Sequence, residues 1–321
     1  MRSFMAAVAA GPLVLDGGLS NELAAAGHDL ADALWSARLL MDEPGALVAA
    51  HAAYFRAGAR VAITGSYQAS FEGFARRGVS RAEAVRLFGL SVELAREAAG
   101  GVEGRYVAAS VGPYGAVLAD GSEYRGRYGL SVAELERFHG PRVAALVAAG
   151  PDVLALETVP DVDEARALLR VVRGLGVPVW LSYSVAGDRT RAGQGVAEAF
   201  AVAAEAEEVV AVGVNCCAPE DAGHAVRVAS RVSGKPVVVY PNSGEKWDAE
   251  VRDWAGGWSF RPEDVAGWVA DGARLVGGCC RVGPRQIAAL ARLIQSGGAR
   301  RSAGPVAPFP APLTVQRPRR L

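Results

Sequence analysis

The four cysteines of this 321-residue chain fall in two adjacent pairs, Cys216-Cys217 and Cys279-Cys280. Thiolates are soft ligands, and three of them converging on one point suit a soft or borderline cation. Zn²⁺ leads the candidates because it favours sulfur and a four-coordinate tetrahedral shell. Three cysteine ligands would leave one corner for an outside group. The spacing is not that of a C-x-x-C knuckle, so the pairs do chemistry together only if the fold joins them. In regular strand, neighbours point to opposite faces; Cys279 and Cys280 reach one ion only where the backbone leaves β geometry, a freedom that Gly277-Gly278 supplies. Cys217 has no such help and is expected to face away from Cys216. Two rival readings stay open: thiols packed as small hydrophobes, or a strained bridge between adjacent residues.

Two acidic residues end apolar runs, Asp16 and Glu157. In a partly desolvated pocket they would serve as general acid and base, or hold the ammonium of a substrate. Helix capping is an equal alternative for Asp16. His28, His51, His139 and His224 fall on helices or loops and are not expected to be ligands or bases. The only lysines are Lys235, at the start of an apolar run, and Lys246, in a loop. Neither is well placed for a Schiff base. Trp180, Tyr183, Tyr240 and Trp247 stand near run ends and read as core or rim, although an aromatic face also suits a sulfonium.

The elements that must position these residues alternate in a regular rhythm. Short apolar runs occupy Leu13 to Asp16, Val61 to Ser66, Tyr106 to Pro113, Val153 to Thr158, Val177 to Ser184, Val209 to Cys216, Pro236 to Ser243 and Ala273 to Cys280. Most are apolar on both faces, as strands buried between a barrel interior and a ring of helices must be. Longer amphipathic stretches separate them. Ser80 to Glu83 and Ser131 to Glu134 have capping-box spacing, and Asp161 precedes Glu164 similarly. Gly58, Gly150 and Gly272 stand where helices stop. Eight such repeats within one domain predict an α/β fold of the (β/α)₈ TIM-barrel type, with functional side chains at the C-terminal strand ends. An open doubly wound sheet is the rival, but Asp16-Gly17-Gly18-Leu19-Ser20 lacks G-x-G-x-x-G spacing. The barrel is expected over residues 1–295. Residues 296–321, with five prolines and unbalanced arginines, read as a flexible tail.

Balanced charge, 34 basic against 34 acidic residues, removes the whole-molecule attraction that nucleic acid or an anionic membrane would need. No uninterrupted apolar window is long enough to span a bilayer. The stretch from Phe4 to Leu15 superficially resembles a short signal peptide, but Gly11-Pro12 interrupts it and it runs straight into a strand. Free thiols and no credible export signal predict a cytoplasmic protein that acts on small molecules. Composition leaves the oligomeric state open.

Six segments together resemble the homocysteine S-methyltransferase family: Leu15-Asp16-Gly17-Gly18, Ile63 to Ser70, Leu156-Glu157-Thr158, Gly213-Val214-Asn215-Cys216, Tyr240 to Glu245 and Gly277 to Arg281. The resemblance implies a zinc barrel in which Cys216, Cys279 and Cys280 bind the metal and the homocysteine sulfur completes the shell. It implies that Asp16 and Glu157 hold the amino group, with Gly17, Gly18, Thr64 and Asn215 helping to place the amino acid. The implied donor is S-methylmethionine or S-adenosylmethionine and the product methionine. Betaine-using relatives share the cysteine triplet, and a selenol such as selenocysteine is an alternative acceptor. A non-catalytic zinc- or thiol-binding barrel, with Cys217 as fourth ligand, is the reading from another class.

Overall fold

The computed structural model describes residues 3–29, 36–248 and 253–297. Eight strands carry the architecture: β1 (Leu13–Val14), β2 (Val61–Ile63), β3 (Tyr106–Val111), β4 (Val153–Val159), β5 (Val179–Tyr183), β6 (Val209–Asn215), β7 (Val237–Tyr240) and β8 (Ala273–Val276). They form one parallel sheet in the order β1-β8-β7-β6-β5-β4-β3-β2. Its ends meet. Leu15 bridges to Val61, the Arg60 amide donates to the Val14 carbonyl at 2.7 Å, and the Asp16 amide donates to the Val61 carbonyl at 3.0 Å. An open doubly wound sheet would keep two unpaired edges, so the (β/α)₈ barrel stands.

The strands are rich in Val, Ala and Leu because both faces are buried, and their side chains sort with the period of two that a pleated strand imposes. Leu13, Leu15, Tyr106, Ala108, Val153, Ala155, Trp180, Ala211, Val238, Tyr240 and Leu275 share an interior cluster. Val14, Val107, Ala109, Leu154, Leu156, Leu181, Val212, Val239 and Val276 pack outward with the helix ring. Extending this alternation places Ser110, Glu157, Ser182 and Asn215 on the inner face toward the C-terminal ends. All are buried. Polar residues at the top of an otherwise apolar interior are where a site belongs in this architecture.

The signal-like segment has a structural role. Ser3 caps a helix spanning Phe4–Ala10, and Phe4 packs edge-on against Tyr106 at the start of β3, ring centroids 5.5 Å apart. This helix joins the interior cluster from the N-terminal side, opposite the site. Elsewhere the Ser131–Glu134 capping box forms in full and Ser80 accepts from the Glu83 amide. Asp161 caps its helix through the Asp163 amide, but Glu164 does not complete a box: its carboxylate faces His139 at 2.9 Å instead. Gly58, Gly150 and Gly272 adopt positive φ before β2, β4 and β8. No described helix is long and apolar enough to cross a membrane. The expected tail, beyond residue 297, lies outside the described residues.

Candidate active site

Cys216, Cys279 and Cys280 come together with their three sulfurs within 4.8 Å of one another, and the Cys216 and Cys280 sulfurs are 3.6 Å apart. Strict alternation would turn Cys216 outward after the inward Asn215. Cys216 instead adopts a left-handed backbone, φ 50°, which re-aims its side chain into the site. Cys217 then faces the helix ring, fully buried among apolar side chains, where burial pushes its thiol far above the usual range. Gly277 and Gly278 serve differently from expectation, since neither takes a positive φ. A Cβ on Gly277 would stand 2.7 Å from the Leu15 Cβ, and one on Gly278 would stand 2.1 Å from a Val282 methyl. They allow close approach, and the left-handed turn falls on Arg281, φ 68°.

The loop after β7 stitches the two cysteine segments together. Cys216 N–H donates to the Tyr240 carbonyl, Asn242 N–H to the Cys217 carbonyl, Cys279 N–H to the Pro241 carbonyl and Ser243 N–H to the Cys280 carbonyl, all at 2.8–3.2 Å. The Asn242 side chain accepts from the Cys280 amide at 3.1 Å. Glu245 takes the Arg281 guanidinium in a two-pronged ion pair, which holds its carboxyl below the usual range. Gly17 and Gly18 lie under the cysteine segment that follows β8. A Cβ on Gly17 would meet the Val282 carbonyl at 2.1 Å, and one on Gly18 the Cys279 carbonyl at 2.7 Å.

A tetrahedral ion with sulfur bonds near 2.3 Å sets its ligand sulfurs about 3.8 Å apart. The Cys216–Cys280 separation is close to that spacing, the third sulfur lies within 4.8 Å of both, and Cys279 and Cys280 are half-buried; three protein sulfurs leave the fourth corner of such a shell to an outside ligand. Hydrogen bonds from the other two thiols and from the Tyr124 hydroxyl, 3.1 Å away, hold Cys216 well below the usual thiol range. The same Cys216 anion pushes Cys279 and Cys280 up.

Beside the cage lies a buried carboxylate pair. Asp16 does not cap the helix at Leu19–Ala25, whose N-cap is Gly18 without a side-chain bond. One Asp16 oxygen accepts from the Ile63 amide at 2.8 Å; the other, Oδ1, is buried with no protein partner. Burial, opposed by that amide and reinforced by Glu157, raises its pKa. Glu157 accepts from the Ser110 hydroxyl and, at 3.0 Å, from the Tyr240 hydroxyl. Burial pushes its carboxyl up to about 7. Thr64 accepts from the Ser110 amide at 3.0 Å and so braces the residue that braces Glu157. The Asn215 amide is engaged with Thr158 on both its oxygen and nitrogen and with Ser182 on its oxygen, which steadies Thr158 at φ 58°. A buried carboxylate pair with a partnerless oxygen is suited to an ammonium, and a three-sulfur cluster could hold a soft metal ion.

The homocysteine S-methyltransferase family model matches residues 13–294. The chain belongs to that family. Homocysteine S-methyltransferase YbgG of Bacillus subtilis is 43% identical over 301 residues, covering 88% of this chain and 96% of its own. A homocysteine S-methyltransferase of Escherichia coli is 44% identical over 293 residues, covering 87% and 94%. The crystal structure of the E. coli homocysteine methyltransferase MmuM in its metallated form superposes with a TM-score of 0.79 at 42% identity, covering 88% of this chain and 96% of that one. Membership in the homocysteine S-methyltransferase family makes the chain a methyltransferase with homocysteine and a methyl donor as substrates.

Within this homocysteine S-methyltransferase fold, several neighbours of the site escaped sequence reasoning. Ser110 needed only the alternation of β3 to be placed beside Glu157. Tyr240 was visible as a strand-end aromatic but reads as core until its hydroxyl is seen on Glu157. Tyr124 comes from the long connection after β3 and has no local signal at all. The Lys235 ammonium donates to the Ala206 and Val209 carbonyls, away from the strand ends that carry the site. The side chains of Lys246 and Trp247 lie outside the described ones.

Proposed function

We propose that this enzyme transfers a methyl group from a sulfonium donor, S-methylmethionine or S-adenosylmethionine, to homocysteine, with Zn²⁺ held by Cys216, Cys279 and Cys280. The observation that carries the reading is the adjacency of a three-sulfur cage to a buried carboxylate pair with one partnerless oxygen. A thiol and an ammonium on one small molecule match these two features. Bound zinc supplies the deprotonation of the incoming thiol, and a three-thiolate shell keeps the bound sulfur nucleophilic.

The chain's own residues do the positioning. Asp16 Oδ1 and Glu157 take the ammonium, whose charge offsets the burial that otherwise favours their protonated forms. Thr64 and Ser110 orient Glu157. Gly17 and Gly18 let the β1 turn lie against the cysteine loop, and Asn215 is a positioning residue that fixes Thr158. A sulfonium leaves as a neutral thioether, so in-line attack needs mainly alignment of two sulfurs, a contribution worth roughly 7–11 kcal/mol in well-aligned systems. The catalytic unit is residues 1–295, with 296–321 as an extension, and four reduced thiols suit the cytoplasm. Cys217, turned into the apolar helix ring, speaks against a closed structural four-cysteine site.

A donor panel tests this reading. Zinc-loaded protein and homocysteine are expected to give methionine with S-methylmethionine or S-adenosylmethionine. Turnover with betaine alone, or preference for selenocysteine as acceptor, would move the assignment to a sister activity. Zinc-edge spectroscopy showing no new sulfur ligand on adding homocysteine would make the site structural.

A further inference from the structure

The connection between β3 and the helix Val132–Ala148 is long, and partly buried polar contacts pin it down. The Tyr114 amide and the Tyr128 hydroxyl both donate to the Glu164 carboxylate, at 2.6 and 3.3 Å, and the Arg127 amide donates to Asp161 at 3.2 Å. Held at both ends, the segment carries Tyr124 onto Cys216, hydroxyl to sulfur. The residue before it is Glu123, only 7% exposed, with Oε2 buried and without a protein partner. Its backbone is wedged against Gly115, where a Cβ would stand 2.5 Å from the Glu123 nitrogen. The neighbouring Arg125 makes no hydrogen bond to it and is the weakest influence on its charge: that guanidinium donates to Asp120 and to Ser122, at 3.4 and 2.9 Å.

We propose that the Glu123 carboxylate is the counter-charge for the positive end of the methyl donor, seated on the open side of the cysteine cage. This rests on the sulfonium-donor reading above and adds the residue that recognises the donor. Asp16 and Glu157 are committed to the acceptor's ammonium, and Asp161 and Glu164, also buried at this end of the barrel, are taken up by backbone amides, Gln194, Tyr128 and His139, which leaves Glu123 unassigned by that mechanism. Burial is the largest influence against its ionised form, opposed by a backbone amide, and the negative Cys216 is the largest side-chain influence against it, ahead of Asp120. A cation placed between Glu123 and the sulfurs relieves both anions at once. In the transfer the donor's carbon–sulfur bond breaks with its electron pair staying on the donor sulfur, and the carbon bonds to the homocysteine sulfur. The donor's positive charge is gone afterwards. Glu123 therefore attracts the charged donor and loses its hold on the neutral thioether that must leave.

The test compares Glu123→Gln with wild type using two methyl sources, S-methylmethionine and the uncharged alkylating agent methyl iodide. The variant is expected to raise KM for S-methylmethionine on the order of 10- to 100-fold, as loss of a buried charge-assisted contact does. KM for homocysteine, zinc content and the methyl iodide rate should stay within about twofold. Glu123→Asp, which keeps the charge on a shorter arm, should fall between the two. An unchanged donor KM overturns the proposal, as does equal slowing with both methyl sources in both variants, the mark of a merely structural residue. If wild type yields no methionine from any sulfonium, the functional reading fails by itself. Calorimetric binding of S-methylmethionine then still decides the role of Glu123, and equal affinity in wild type and Glu123→Gln overturns it.

Discussion

Cys216-Cys217 and Cys279-Cys280 leave the two strands that flank β7, at the same end of the barrel, yet one sulfur of the first pair and both of the second reach the cluster. The difference lies in where each strand stops being a strand. β6 stays paired to its last residue, with Asn215 in register with Tyr240, so the pleat still governs the backbone just beyond it. A single left-handed residue then brings Cys216 in and sends Cys217 out. β8 ends at Val276, before Gly277-Gly278, and the two cysteines hydrogen-bond to the β7 loop through Pro241, Asn242 and Ser243. Freed from alternation, both thiols turn the same way. Identical dipeptides acquire different chemistry from the backbone that presents them.

The largest expected effect breaks this comparison at its centre. Cys216→Ala, Cys279→Ala and Cys280→Ala should each lose stoichiometric metal and more than about 100-fold in activity, exceeding the loss from outer-shell changes. Metal analysis and methionine formation check both. If Cys279→Ala kept full activity, the second pair would contribute one sulfur just as the first does, and the three-thiolate cage would be wrong.

Next in size is Glu157→Gln, which separates the carboxylate half of the site from the sulfur half. Homocysteine KM should rise on the order of 10- to 100-fold with metal content intact. The variant also carries a pH signature. Glu157 holds its proton up to about 7 in the folded chain against 4.5 ordinarily, so the folded state binds more protons than the unfolded one between those values. Stability of the substrate-free protein should therefore fall as pH rises through that window, by at most about 3 kcal/mol from this group. In Glu157→Gln that share of the decline disappears. A melting-temperature profile identical to wild type would show that Glu157 is not the titrating group.

These two halves were not equally legible in sequence. Barrel rhythm could be read from the period of two, and the cysteine pairs and both carboxylates were visible from strand-end position; that Cys216, Cys279 and Cys280 converge while Cys217 does not depends on where the backbone leaves that period. The roles of Gly277-Gly278 were misjudged, since a glycine needed for close approach and one needed for positive φ look alike until the neighbouring chain is seen. The Glu164 capping box failed for a related reason: His139 on another helix competes for the same carboxylate. Tyr124 and Glu123 were invisible because a long connection has no periodicity to place its side chains.

Asn242→Ala tests the support of the second pair. Its side chain accepts from the Cys280 amide, so removing it should loosen Cys280 without deleting a sulfur from the cluster. Zinc affinity is expected to drop about tenfold, the lower range for outer-shell partners. Competition with a chelator measures it. No change would mean that the Pro241 and Ser243 backbone contacts alone hold both cysteines in place.

Cys217→Ala has the smallest effect on chemistry and sharpens the comparison most cleanly. Its side chain is buried in the apolar cluster that includes the helix ring and is not part of the three-sulfur group. Alanine there deletes one buried heavy atom, at a cost of about 1 kcal/mol that urea unfolding resolves. Zinc stoichiometry and kcat/KM should match wild type. Serine is the harsher probe despite being nearly isosteric, because its hydroxyl would be buried without an acceptor at about 1–3 kcal/mol. Stability should thus rank wild type, then alanine, then serine, while activity per folded molecule stays level. An activity loss that followed the same ranking would place Cys217 in the reacting centre and undo the distinction between the two pairs.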